Sequence, residues 1–123
     1  MSKILIVEDN EKNMKLVRDV LQAKGYVTIE AVTGEDGVRL AIEHKPDLIL
    51  MDIQLPGISG IDALRILREN PETAMIPAVA VTASVMQQDR KHITEAGFDG
   101  YLGKPINLKE FLDTVRSMLE RNA

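Results

Sequence analysis

Four apolar runs in this chain each lead into a side chain that can do chemistry. KILIV leads into Glu8 and Asp9, LILM into Asp52, AVAV into Thr82, and GYLG into Lys104 and Pro105. If those runs are neighbouring strands, three carboxylates, a hydroxyl and an ammonium meet at one rim. Carboxylates held close together repel one another, and burial makes that worse. They persist as anions only beside positive charge. Lys104 supplies one charge, and a divalent cation would supply more. Oxygen ligands without His or Cys favour a hard ion, Mg2+ above all. Magnesium keeps several waters and takes few protein ligands, so an open site of Asp9, Asp52 and a backbone carbonyl suits it.

An open Mg2+ position beside these groups points to phosphoryl chemistry. The metal and Lys104 would neutralise the equatorial oxygens of a transferring phosphoryl group. Thr82 would donate a hydrogen bond to another. Asp52 is the best nucleophile, because its run lies between the metal side and the Thr/Lys side. Its attack would give an aspartyl phosphate.

The elements that must position these groups alternate along the chain. KILIV, VTIEAV, DLILM, PAVAV and GYL read as strands, each followed by a stretch with helical spacing. Five β-then-α units predict a parallel sheet covered by helices. ILIV, LILM and AVAV are apolar on both faces and belong in the centre. VTIEAV, with Thr28 and Glu30 on one face, and the short GYL belong at the edges. Right-handed crossovers then give the order 2-1-3-4-5, a doubly wound flavodoxin-like α/β sheet with five helices. Its site lies at the carboxyl ends of the strands flanking the reversal, the first and third.

The helix ends are also legible. Asn10 caps the first helix, which turns Met14, Val17, Val20 and Leu21 inward and stops at Gly25. The second follows Thr33 and Gly34, with Val38, Ala41 and Ile42 on one face. The third starts near Gly60, with Ile61, Leu64 and Leu67 inward, and ends before Pro71. The fourth starts near Ser84, ends at Gly97 and has the weakest apolar stripe, so it is expected to be loosely attached. In the fifth, Asn107 and Glu110 form a capping-box-like pair, and Leu108, Phe111, Leu112, Val115, Met118 and Leu119 line one stripe.

Composition narrows the class. A chain of 123 residues suits one domain, taken as 1–123. With 45% hydrophobic and 28% charged residues it reads as a soluble globular protein. The net charge of −4 and the lack of a Lys/Arg cluster argue against nucleic acid as a partner. The absence of cysteine excludes disulfides, Cys-based zinc sites and a thiol nucleophile, and fits a reducing compartment. MSKILIVED turns acidic too soon for a signal peptide, and no run could span a bilayer, so a cytoplasmic protein without membrane contact is expected.

The motifs LIVEDN, DLILMDIQLPGISG, AVTAS and GYLGKPI, in this order, make the whole chain similar to the receiver domain of bacterial two-component response regulators. VEDNEKNMKL and LILMDIQLPGISG look especially like a single-domain cell-cycle regulator of that family. The resemblance implies a phosphorelay role, with a phosphoryl group passing from the phosphohistidine of a histidine kinase or phosphotransfer protein to Asp52. Asp9, Asp52 and the main-chain oxygen of Gln54 would hold Mg2+, and Glu8 would act through water. Lys104 would bind a phosphoryl oxygen, and the bond before Pro105 would be cis. Thr82 and Tyr101 match the family's switch pair, in which the hydroxyl moves to the phosphoryl group and the ring turns inward. The output surface would be the fourth helix, fifth strand and fifth helix, facing a downstream protein. Such a domain is a phospho-acceptor rather than an enzyme acting on others. Gln54 and Ser84 occupy positions that tune phosphoryl lifetime, and neither offers a carboxylate to place an attacking water.

Plainer readings exist for each residue. Asp52 can cap a turn, Glu8 and Asp9 can serve a helix dipole, Thr82 can be an N-cap, and Tyr101 can be edge packing. Lys104, His44 and His92 can simply be solvated. Val85 and Met86 read either as an interaction patch or as ordinary packing. Three other functions compete. A receiver module cut from a larger regulator or hybrid kinase has the same motifs. A haloacid-dehalogenase-like phosphatase uses similar groups, but wants a second carboxylate where Gln54 stands. A flavodoxin would need a phosphate cradle where EDNEKN would repel one.

Overall fold

The computed structural model describes residues 2–83 and 87–121. Ser84, Val85 and Met86, and with them the expected start of the fourth helix, lie outside the described residues. The described elements alternate strictly: β1 (Lys3–Val7), α1 (Glu11–Ala23), β2 (Val27–Ala31), α2 (Gly34–His44), β3 (Leu48–Asp52), α3 (Gly60–Glu69), β4 (Ala78–Thr82), α4 (Gln87–Ala96), β5 (Gly100–Gly103) and α5 (Leu108–Arg121). All strand pairs are parallel, in the order β2-β1-β3-β4-β5.

The strand alternation sorts side chains into two cores. Leu5, Val7, Ile49, Met51, Ala78 and Ala80 face one side, where Ala41 of α2, Ala63, Leu64 and Leu67 of α3, and Ile93 and Ala96 of α4 cover them. Ile4, Ile6, Leu48, Leu50, Val79, Val81 and Leu102 face the other, beneath Met14, Val17 and Leu21 of α1 and Phe111, Val115 and Met118 of α5. Each Val, Leu, Ile, Met or Phe among them contributes about 1.5–3 kcal/mol by leaving water. β3 and β4 are buried along their whole length, which makes them a stiff mount for the side chains at their carboxyl ends.

The caps are built as the residue types require. Asn10, Thr33 and Ser59 each accept a backbone N–H three residues on, at the starts of α1, α2 and α3. Asn107 does the same for Glu110 at the start of α5. The stop of α1 is where the glycine predicts it: the helix ends at Ala23, and Gly25, with φ of 88°, donates its N–H to Gln22 while Tyr26 donates to Leu21. Two readings need correction. Leu108 is 46% exposed, since at the first residue of α5 its side chain stands outside the stripe that begins at Phe111. Val32 lies past the end of β2 and is 54% exposed. The described part of α4 buries Ile93 and Ala96, while Arg90, Lys91, His92, Thr94 and Glu95 are exposed.

Candidate functional site

The register assembles the site. Val7 is level with Met51, so the chain leaving β1 places Glu8 beside Asp52. Asp52 is level with Val81, and Thr82 with Gly103, so Thr82 and then Lys104 come in on the other side. The Lys104 amide donates to the Thr82 carbonyl at 2.9 Å, and the Lys104–Pro105 peptide is cis.

Both oxygens of Asp52 are engaged. Oδ1 accepts the Gln54 N–H at 3.1 Å, and Oδ2 accepts from Lys104 Nζ at 3.0 Å. The same ammonium stands 2.9 Å from Glu8 Oε1, and Glu8 Oε2 accepts the Asn10 N–H at 3.1 Å. Glu8, Asp52 and Thr82 are buried, whereas Asp9 is exposed beside them. One carboxylate oxygen each from Glu8, Asp9 and Asp52 fall within 4.8 Å of one another. Gln54 is exposed on the turn that leaves β3. Tyr101 is half-buried against the α3–α4 side of the core, with the Arg90 guanidinium 5.1 Å from its ring centroid.

The charges are poised against one another. Burial pushes the Glu8 carboxyl above the usual carboxylate range and the Asp52 charge adds to this, although Lys104 and the Asn10 N–H oppose it. Burial pulls the Lys104 ammonium down, but its bonds to Glu8 and Asp52 outweigh that and hold it above the usual lysine range. Lys104 is therefore charged at neutral pH. The acidic cluster, all oxygen and open at Asp9, fits a small hard cation.

Two features were harder to foresee. Glu8, expected to reach a metal through water, also pairs directly with Lys104, because the register buries it level with Asp52. Gly60, read only as a helix start, lies so close to the strand end that a Cβ there would collide with the carbonyl of Asp52. Its N–H donates to Ile53 at 2.9 Å and folds the loop back under the site. The signal available for it was a glycine eight residues beyond the central carboxylate.

Comparison with known proteins agrees with this geometry. The sequence profile of the response regulator receiver domain matches residues 4–116. The chain belongs to that family. This receiver is 47% identical over 116 residues to the polar-differentiation response regulator DivK of Brucella anthropi, covering 94% of each chain. The same identity and coverage relate it to DivK of Brucella ovis. It superposes with a TM-score of 0.91 on the receiver domain of a sensor histidine kinase from Pseudomonas aeruginosa, at 33% identity over 97% of this chain and 98% of that one. That crystal structure has a magnesium ion coordinated in its active-site cleft. A putative response regulator from Chloroflexus aurantiacus gives a TM-score of 0.92 at 29% identity, covering 97% of this chain and 98% of that one. The match sets aside the phosphatase and flavodoxin readings. No described helix of this receiver is long and apolar enough to cross a membrane.

Proposed function

We propose that this receiver carries a phosphoryl group on Asp52 and uses it to switch binding to a partner protein. The observation that carries the reading is the placement of the Asp52 carboxylate. It ends a fully buried central strand, between the Glu8–Asp9 pair and the Lys104 ammonium. Asp9, Asp52 and the main-chain oxygen of Gln54 would hold Mg2+, with Glu8 acting through water. When bound, Mg2+ supplies neutralising charge to the phosphoryl oxygens.

The donor is a phosphohistidine on a histidine kinase or phosphotransfer protein. An Asp52 carboxylate oxygen attacks phosphorus, the new O–P bond forms as the N–P bond breaks, and a proton from solvent restores the neutral imidazole. Lys104 moves from carboxylate to phosphoryl oxygen, so its charge tracks the developing negative charge. Thr82 donates to another phosphoryl oxygen, and Tyr101 turns inward as that hydroxyl moves. The α4–β5–α5 face then presents an altered surface to a downstream protein. The domain acts as a phospho-acceptor, not as an enzyme on other substrates. Its likeness to polar-differentiation regulators supports a part in cell-cycle or cell-division control. A chain without cysteine fits a reducing compartment, and the proposed place of action is the cytoplasm.

Intact-mass measurement with Mg2+ and acetyl phosphate tests this. Wild type gains one phosphoryl adduct and Asp52→Asn gains none. Equal labelling of both would remove Asp52 from this role.

A further inference from the structure

Two kinds of contact hold the described side chains of α4. Its C-terminal end is tied down. Ile93 and Ala96 are buried in the core, and Arg68 of α3 reaches across to the turn after the helix. Arg68 Nε and Nη2 donate to the Gly97 carbonyl at 3.2 and 3.0 Å, and Nη2 also meets Asp99 at 3.3 Å. One turn earlier on α4, the side chain at Arg90 is exposed, and its guanidinium lies against the Tyr101 ring of β5. A guanidinium 5.1 Å from a ring centroid is within cation–π range. Arg90 and Tyr101 also line one open cavity with Pro105, Ile106 and Glu110, so the contact sits on a wall of space into which a ring or a helix can move.

We infer that Arg90 is a latch: it holds the Tyr101 ring in the position seen here and couples that ring to the near half of α4, with Arg68 as the fixed point. The inference rests on the proposal that Tyr101 is a switch residue. The geometry gives it a direction. A turning ring leaves the guanidinium, and α4 loses a tie at one end while the Arg68 end stays in place. Reciprocally, loss of Arg90 frees the ring before any phosphoryl group is present. A cation–π contact at an exposed site shifts such an equilibrium by about two- to fivefold, so the latch tunes the switch and does not lock it.

The test is NMR of the Tyr101 ring and of α4 backbone amides in the full chain, with and without Mg2+ and beryllofluoride as phosphoryl mimic. In wild type the ring signals move on adding beryllofluoride. In Arg90→Ala without the mimic, they already lie part-way along that line, by about two- to fivefold in population. In the Tyr101→Leu background, Arg90→Ala has no further effect on the α4 amides. Arg90→Lys, which keeps the charge, falls between wild type and Arg90→Ala. If the wild-type ring moves but Arg90→Ala leaves it unshifted, the latch is wrong and the switch reading survives. The same holds if the Arg90→Ala effect persists undiminished without the ring. If the wild-type ring ignores beryllofluoride, the switch reading falls and takes the latch with it.

Discussion

Lys104 Nζ lies 3.0 Å from Asp52 Oδ2, closing a separation of 52 residues along the chain. The ammonium shares its charge with Glu8 at 2.9 Å, so one cation serves two buried anions. Those anions stand at the ends of β1 and β3, while the cation itself is delivered by β5, two strands away from Asp52.

Removing that cation leaves two carboxylates buried side by side. Lys104→Ala is expected to lose about 1–3 kcal/mol of stability at pH 7 in chelator. Saturating Mg2+ should restore much of it, because a ligand that binds only the folded state stabilises by mass action. Melting curves with and without Mg2+ check this: the Mg2+-induced rise in Tm is larger in the variant than in wild type. The variant still binds Mg2+ but loses most of its conformational response to beryllofluoride. An unchanged response would make Lys104 purely structural.

The same pair sets an alkaline limit. The folded pKa of Lys104 lies above its unfolded value, so the folded state holds the proton more tightly. Its contribution is complete below the ordinary lysine range, about 10.4, and is lost as pH climbs through the folded value. Glu8 has its effect at the acid end. Its carboxyl is also raised, so stability falls as pH climbs from its unfolded value through its folded one. Urea titrations across pH should therefore show Glu8→Gln gaining on wild type above the ordinary carboxylate range. Lys104→Met should lack part of the wild-type decline above pH about 10.

The sheet order and most caps were readable because each rests on a local rule. Apolar runs without alternation mark central strands, and Asn10, Thr33 and Asn107 stand at helix starts with the right side-chain oxygen. The site was readable because its groups end strands whose order could be deduced. What escaped depends on distances between elements. The sequence brings Glu8 and Lys104 to one rim without saying that they touch, and nothing near Arg68 says which carbonyls it meets. Leu108 fits its stripe by spacing, yet the first turn of α5 leaves it in water.

Gly60 turns one of those hidden distances into a measurement. Alanine at a helix position gains up to about 1 kcal/mol in propensity over glycine. Here its Cβ would meet the backbone carbonyl of Asp52, which cannot rotate away as a side chain could. Gly60→Ala is expected to lose about 2 kcal/mol net and to weaken Mg2+ binding, because the clash displaces the strand end that presents Asp52. Urea melts and calorimetric Mg2+ titration report the two effects. A variant as stable as wild type with unchanged Mg2+ affinity would show that the loop absorbs the methyl group.

The family resemblance implies that the residue two places beyond Asp52 tunes phosphoryl lifetime, and here that residue is Gln54. Gln54 is exposed and carries an amide, so it cannot act as a base toward an attacking water. The labelled protein is expected to decay over minutes or longer in Mg2+, tracked by intact mass after removal of acetyl phosphate. Gln54→Ala should leave the rate within the same order of magnitude. Decay within seconds, or a large change in the variant, would mean that the amide places the water after all.

Arg68 makes the sharpest stability prediction. Its guanidinium has three carbonyl partners for Nη1, on Thr73, Ala74 and Ile76, and two partners, Gly97 and Asp99, for the remaining donors. Burial lowers its pKa and the Asp99 charge opposes this, yet an arginine stays charged at any ordinary pH. Truncation strips a charged donor from several half-buried carbonyls at once. Each bond to a charged group is worth about 1.5–3 kcal/mol, but neighbouring bonds do not add, and water reaches part of the site. Arg68→Ala is expected to lose about 2–3 kcal/mol in urea unfolding. Arg68→Lys should recover less than half of that, because an ammonium cannot span the fork between the segment before β4 and the turn after α4. Amide exchange would locate the damage: protection falls first at Ile76, Gly97 and Phe98, while Leu5 and Leu50 in the sheet centre stay protected. Uniform loss across the sheet would mean that Arg68 supports the whole fold and not this junction.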